Sequence, residues 1–595
     1  MDLPLDPHDA LTLENDVIGV RIWGPPNQPT LSIGKSDLWD RRWFGERNPL
    51  VTMQRIKECA TTGSLGELIF QDNNHTIYDV YNKYATPCPK PGVQLILGTP
   101  FGKTARVDEL EGGIEITVEG RGKRLGAKIW VHLTRPLVVL EISTAGLREG
   151  DFLASVYRHR DTILPGGQEE LPRIGPHALP EDEEQLPLPK CLQGDDIGLV
   201  QDLGRELTFP GGFAFAASCR IIGADHHLRN VEGETGLGTS YHSESEGRID
   251  HGILKRYSPI NQAPGSSSTA TFGHIPRSFA MIAALMTSQD GEKPVAEALN
   301  VLDQATALGI DGLKDEQRKE RQCALRSNRA MARVGKQEIA APGLVLPRMR
   351  VAGGYYGDIP LCSVNTTKLC FQDAALWHAD FHLNEIRGEP MLTLGQFEEL
   401  LPYCEMIATL LPSAIENAQD VYSLPGAMYP LVHFPFRYRG VAHTNLTWEQ
   451  DLGMNGLVAK PLWLYYRYTG DMEYLENLAY PVLRECSRFV DAYLEEGDDG
   501  LLHIVPTVSP EHWGITPNFE RNRDCTSALT LSKYLLNAAA SAAKTLGRDD
   551  NEAEGWINSA RRMAPYPVYK TEKGPVWVDV EGAPPIEYNI PVPLT

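Results

Sequence analysis

The sequence predicts a multidomain protein of mixed α and β class: an N-terminal antiparallel β-sandwich followed by a helical domain of the (α/α)6-barrel type, with the barrel left incomplete. Three observations predict this. Strand-like runs fill the first 290 residues with no helices between them, helical periodicity takes over from about residue 368, and 595 residues exceed what one ordinary core sustains. The domains expected are a sandwich over 1–290, a helical linker over 291–340 and a barrel-like catalytic domain over 341–595.

The front half is read from its β-branched and aromatic runs. "VIGVRIW" (17–23), "GVQLILG" (92–98), "GIEITVEG" (113–120) and "AKIWVHLTRPLVVLEIST" (127–144) are bounded by Gly, Pro and Asp; "FAFAASCRII" (213–222) and "SFAMIAALM" (278–286) extend the series. Without helices between them, these strands pair antiparallel and do not build βαβ units. From 292, "KPVAEALNVLDQATALGIDGLKDEQRKERQCAL" has helical spacing and a charged face, as a connector would.

The back half repeats a helical period. Phe397, Leu400, Leu401, Cys404, Ile407, Ala408 and Leu411 fall on one face. Asp471 is placed to cap the next helix, and Pro481 suits a first helical turn. Leu483, Cys486, Phe489, Val490 and Tyr493 form the following stripe, which Gly497 closes. Asp524 is placed to cap a helix carrying Leu531, Leu535, Ala539, Ala543 and Leu546, stopped by Gly547. These helices are fewer than a closed toroid needs, and the chain stops at "EYNIPVPLT" without a closing helix, so either a missing C-terminal part or a barrel completed in an unusual way is expected.

Composition narrows the function. A formal net charge of −22 disfavours nucleic acid and anionic membranes, which attract basic faces. There is no apolar run of membrane-spanning length and no basic, apolar start of a signal peptide, so a cytoplasmic location is the default, or a secreted one if a signal was trimmed. Ten cysteines without CxxC or CxxH spacing argue against zinc and against a disulfide scaffold. The nucleotide-binding GxGxxG and P-loop, the GxSxG elbow and HExxH are all missing in usable context, and no cofactor is expected. The partner expected is a neutral carbohydrate, and a homodimer is compatible with the sequence.

Polar aromatic loops in the helical half carry the candidate chemistry. In "CFQDAALWHADFHLNEIRGEP" (370–390), a helix over 373–384 would put Trp377, Asp380 and Asn384 on one face, with His378, His382 and Glu385 alongside. An indole stacks on the C–H face of a sugar while carboxylate and amide groups take its hydroxyls. A satisfied polar network between helices is the plainer alternative. His378 and His382, at i and i+4, could ligate a metal, but no third ligand is marked, so no metal site is expected. "PTVSPEHWG" (506–514) sets Glu511, His512 and Trp513 on a proline-stiffened turn. An indole beside a carboxyl desolvates it and keeps its proton near neutral pH, as a general acid requires; a surface or capping carboxylate is the equally weighted reading. "NFERNRDCTSAL" (518–529) adds Asn522 and Asp524. "GPVWVDVEGAPPIEYNIPVP" (574–593) adds Trp577, Asp579, Glu587 and Asn589 on a proline-rich loop. "HTNLTWEQDLGMNG" (443–456), with Trp448, Glu449 and Asp451, ranks lower because such stretches often only cap helices.

"LWHADFHLN" (376–384), "YYRYTGDMEYLENLAYPVLRECSRFVDAYL" (465–494) and "SPEHW" (509–513) resemble glycoside hydrolase family 95, the inverting α-L-fucosidases and α-L-galactosidases; residues 11–42 look like that group's N-terminal β-domain. The resemblance implies a sandwich followed by an (α/α)6 barrel with the active site in its mouth. It implies Glu511 as general acid, from the family's Ser–Pro–Glu, and Asn384 as the first asparagine of an Asn–x–Asn pair that assists a downstream aspartate in activating water. Ile386 stands where the second asparagine belongs, and the downstream aspartate would fall beyond residue 595. Asp380, Glu385 and Glu587 are therefore the alternative bases.

The activity expected is inverting hydrolysis of an α-linked deoxy- or hexose sugar, with Trp377, His378, His382, Glu385, His512, Trp513, Asn522, Asp524, Trp577 and Asn589 binding substrate. The runner-up is a catalytically inactive carbohydrate-binding protein of the same fold. A phosphorolytic relative ranks last, since no phosphate-binding cluster is visible.

Overall fold

The structure, a computed structural model, describes residues 1–5, 10–15, 17–41, 52–66, 88–89, 92–110, 112–159, 186–234, 240–244, 256–260, 265–331, 379–380, 392–393, 395, 397–434, 436–438, 450–509 and 514–583. Contacts divide the chain into two units.

The first unit is the expected antiparallel sandwich. One sheet of seven strands runs from edge to edge as Leu11–Glu14, Ile18–Trp23, Thr30–Lys35, Val93–Gly98, Leu153–His159, Gly265–Thr271 and His227–Glu234. The other has eight: Lys190–Cys191, Ile197–Asp202, Ala214–Ile222, Ser278–Thr287, Leu137–Ala145, Lys123–Val131, Gly113–Gly120 and Thr104–Leu110. Alternation builds the core between them. Ile18, Val20 and Ile22 on one sheet meet Ile114, Ile116, Val118 and Leu140 on the other, all buried, because residues two apart share a face.

Between strands of this unit the chain inserts helix α1 (Met53–Thr62), capped by the Thr52 hydroxyl and closed by Gly63 in the left-handed region. This helix belongs to the second unit, where Met53 meets Tyr493 and Lys57 pairs with Glu495.

Helix α2 (Pro294–Met331) is not a free connector. It bends at Gly309 and lays Ala298, Leu302, Ala305 and Leu313 on the outer face of the eight-stranded sheet, against Val139, Ile282 and Met286. The charged residues that suggested a solvated linker make ion pairs along this seam: Asp303 with Arg220, Lys314 with Glu141, and Glu316 with Arg135.

The second unit is helical: α3 (Phe397–Tyr422), α4 (Met454–Thr469), α5 (Tyr480–Tyr493), α6 (Thr526–Leu546) and α7 (Asp550–Arg562). They pack as neighbouring pairs, α3 on α4 and α5, α4 on α6, α5 on α6 and α6 on α7, the unit from which an (α/α)6 barrel is built. Asp471 caps as expected, accepting from the Tyr474 amide, and a π-helical turn over Leu475–Ala479 leads into α5 with Pro481 in its first turn. The α5 stripe is buried as its spacing predicts, although the helix stops at Tyr493, before Gly497. On α3 the buried face is centred on Tyr403, Cys404, Met406, Ile407 and Leu410, a small rotation from the expected one that leaves Leu401, Ala408 and Leu411 half-buried. Gly456 sets the α4–α6 crossing, since a Cβ there would stand 2.4 Å from the Leu531 carbonyl oxygen.

Candidate active site

The start of α4, the strand-like segment 507–509, the start of α6 and residues 578–579 meet in one buried junction. Val508 donates its amide to the Gln450 carbonyl at 3.1 Å, and the Leu452 amide donates to Thr507 Oγ1 at 3.3 Å. Ser509 Oγ donates to Asp579 Oδ1 at 2.5 Å. The Thr526 amide donates to the Asp579 carbonyl and its hydroxyl to that of Val578. Tyr493 reaches from α5 to donate to the Pro506 carbonyl at 2.7 Å. Thr507, Val508 and Ser509 are thereby sealed from solvent.

Asn522 ties the two flanks of 510–513 together. Its Nδ2 donates to the Thr507 carbonyl at 3.1 Å and to the Gly514 carbonyl at 3.0 Å. Its Oδ1 accepts from the Thr516 amide and hydroxyl, both at 2.7 Å. Two donors and two lone pairs are all a carboxamide has, and the residue is fully buried. All its bonds go to the chain around 510–513, which Asn522 therefore holds.

Asp524 does not cap the following helix, although its spacing predicts a cap. Its backbone sits in the left-handed region (φ 53°), and α6 begins after Cys525 with no side-chain cap. The carboxylate turns away from the helix to accept from the Ile504 amide at 2.8 Å and to meet His503 Nδ1 at 2.5 Å, while His503 Nε2 faces Asp499 Oδ1 at 3.1 Å. Burial works against a charged His503, but the hydrogen bonds to Asp524 and Asp499 outweigh it and raise its pKa.

Asp451 is the feature that local sequence left in the background. It is 1% exposed; Oδ1 accepts from the Gly453 amide at 2.8 Å, and Oδ2 is buried with no hydrogen-bond partner. Burial pushes its carboxyl up to about 7, the Gly453 N–H opposing the rise and the Asp579 carboxyl adding to it. Burial, followed by Asp579, Asp451 and Asp524, likewise pushes the Cys525 thiol up, so this cysteine is inert. Nothing in "WEQDLG" marks Asp451 as sealed: its depth comes from the α4–α6 crossing and its neighbouring carboxyl from residue 579.

Among the other expected site residues, Ala379 and Asp380 form a short strand paired with His433 and Val432. Within the helix expected over 373–384, the two described residues are thus strand, where pairing across the chain overrides local helical spacing. Trp577 ends the second strand of a hairpin (Val568–Thr571 with Gly574–Trp577), is 67% exposed, and lies edge-on to Tyr566 at 6.1 Å. The loop expected over 574–593 thus begins as a strand. Trp377, His378, His382, Asn384, Glu385, Glu511, His512, Trp513, Glu587 and Asn589 lie outside the described residues. Among the described residues no group of three or more His, Cys, Asp or Glu could hold a metal, and no helix is long and apolar enough to cross a membrane.

Residues 374–576 match the glycosyl hydrolase family 95 catalytic domain. The chain is thus similar to that family over its second half, as the motifs around 376–384 and 509–513 predict. It is 30% identical over 106 residues to alpha-L-fucosidase 2 of Arabidopsis thaliana, covering 17% of this chain and 13% of that protein. It is 29% identical over 100 residues to kojibiose hydrolase of Flavobacterium johnsoniae, covering 17% and 15%. The matched stretches therefore span only a small part of these relatives' lengths. Among solved structures, the chain is similar to a protein provisionally named kojibiose phosphorylase from the human microbiome, with TM-score 0.48, 11% identity and coverage of 95% of this chain and 72% of that one.

Proposed function

We propose that the protein is a glycoside hydrolase that cleaves an α-linked deoxy- or hexose sugar with inversion, Glu511 acting as general acid. The observation that supports this most is the double anchoring around residues 510–513 within a family 95 catalytic match. Asn522 bonds to carbonyls on both flanks, and Ser509, two residues before Glu511, is fixed to Asp579. A proton donor needs such a rigid base, because it must meet the glycosidic oxygen while that oxygen takes up negative charge. The second requirement is a base that activates water on the opposite face, with the two carboxyls about 6.5–9.5 Å apart; Asp380, Glu385 and Glu587 are the candidates, with Asn384 orienting the water. Asp451 is too deeply sealed to protonate a substrate directly.

The test is Glu511→Gln assayed on a natural oligosaccharide and on an aryl glycoside with a good leaving group. The natural substrate should lose about 10²–10⁴-fold in kcat and the activated one much less, because only a poor leaving group needs the proton. NMR of the first-formed anomer should show inversion. A variant that cleaves the natural glycoside at the parent rate removes the assignment; glycan binding without sugar release by the parent points to an inactive binding protein.

A further inference from the structure

The buried junction holds a carboxyl pair to which the proposed reaction gives no role. Asp451 stands at the start of α4 with Oδ2 sealed and without a hydrogen-bond partner. Its flanking residues hold the segment that leads into Glu511: Gln450 accepts from Val508, and Leu452 donates to Thr507. Asp579 holds the same segment from the other side through Ser509. The titratable groups that face Asp451 among the described residues are Asp579 and the Cys525 thiol; Asp524, beside that thiol, is itself engaged by His503 and by the Ile504 amide.

We propose that Asp451 is a positioning residue that works in its protonated form. Neutral, it leaves the Asp579 carboxyl undisturbed as the acceptor of the Ser509 hydroxyl. Ionised, it sets an uncompensated charge beside the Asp579 carboxyl in one dry junction, and that cost is relieved by loosening the 507–509 segment from α4 or from Asp579. The 507–509 segment is then firm at low pH and loose at high pH. The direction of the Asp451 shift agrees, since burial and Asp579 both favour its neutral form. Asp451 touches no reacting atom; it acts through Ser509 and Val508. The effect on rate rests on Glu511 being the acid, whereas the effect on the segment does not.

The experiment compares the full-length parent, Asp451→Asn and Ser509→Ala between about pH 5 and pH 9. Hydrogen exchange of a peptide spanning 504–516, corrected for intrinsic rates, is read beside kcat and kcat/KM. In the parent, protection should fall as pH rises through about 7. Asparagine keeps the Gly453 contact and cannot ionise, so Asp451→Asn should hold its protection to pH 9. Its ratio of kcat at pH 8 to kcat at pH 6 should exceed the parent's severalfold. Ser509→Ala should lose protection at every pH. Superimposable exchange profiles for the parent and Asp451→Asn overturn the proposal whatever the activity. An exchange difference with identical pH–rate profiles overturns the positioning role. A parent that turns over no glycoside defeats the function proposed above, while the exchange arm still decides what Asp451 does to the segment.

Discussion

Both units bury charge, and they treat it in opposite ways. In the sandwich the Lys35 ammonium, with only 3% of its side chain exposed, lies 2.6 Å from Asp37 Oδ2 and 3.1 Å from Asp290 Oδ2. The Thr287 hydroxyl donates to the same Asp37 oxygen at 2.6 Å. Burial opposes the charge on Lys35, but its two carboxylates outweigh that and raise its pKa. In the helical unit Asp451 faces a second carboxyl, and one of its oxygens is unpaired. The first cluster is compensated and has one stable protonation state. The second can change state within the ordinary pH range, a property that a purely structural buried group would avoid. The contrast separates charge used to fix a fold from charge left able to move a proton.

The largest expected effect comes from breaking the compensated cluster. Lys35→Met should cost about 3–5 kcal/mol, because it removes the buried cation that Asp37 and Asp290, both only partly exposed, share. Denaturant unfolding at pH 7 measures this, and a loss under about 1 kcal/mol would make the cluster no stronger than a surface pair. Asp451→Asn should act in the other direction. A folded pKa of about 7 against an unfolded one of about 3.9 means that Asp451 lowers stability as pH rises between these values, with an upper bound on the order of 4 kcal/mol reached above pH 7. The variant should therefore be more stable than the parent at pH 8 and equal to it near pH 4. Thermal unfolding across that range checks the sign.

A smaller effect is expected at Asn522. Asn522→Asp removes both N–H donors and takes from the Gly514 carbonyl its Asn522 bond and from the Thr507 carbonyl all but the weak Cys525 thiol contact, at a cost of about 1–3 kcal/mol. If these bonds position Glu511, kcat should fall by more than the loss of folded protein explains, with KM little changed. Equal scaling of activity with folded fraction would reduce Asn522 to a structural role. His503 is expected to contribute less again. Its raised pKa adds stability that is complete below about pH 6.5 and lost as pH rises through the folded value. His503→Gln should therefore flatten the alkaline decline, an effect distinct from that of Asp451→Asn because it persists when Asp451 is already asparagine.

Sequence reading succeeded where one residue's neighbours along the chain determine its state. Ile18, Val20 and Ile22 alternate because strand faces alternate, and Leu483, Cys486 and Phe489 are buried because a helix returns to one face at that spacing. It failed where state depends on distant groups. Asp524 resembles a cap by local spacing, yet His503 and Ile504 claim its carboxylate. Asn522 resembles a ligand by its polarity, yet four backbone and hydroxyl partners use it fully. Asp451 and Ser509 gain their meaning from Asp579, which in the case of Ser509 lies 70 residues away. Spacing cannot reveal a like-charge neighbour brought in by helix packing.

Trp577 gives the smallest expected change in stability and sharpens the comparison from outside the core. Its indole is 67% exposed, on a hairpin whose Val568, Tyr569 and Val576 are exposed as well. Trp577→Ala should shift stability by no more than about 0.5 kcal/mol, as for other surface substitutions. Should the ring stack on a sugar, as its type and exposure suit it to do, KM should rise by about three- to tenfold, equivalent to about 0.5–1.5 kcal/mol of aromatic contact, with kcat held. An unchanged KM would instead confine recognition to the loops around residues 380 and 511. The pairing of unchanged stability with changed affinity is the reverse of what Lys35 should show, so the two variants together test whether fold-fixing and substrate-facing groups occupy separate parts of the chain.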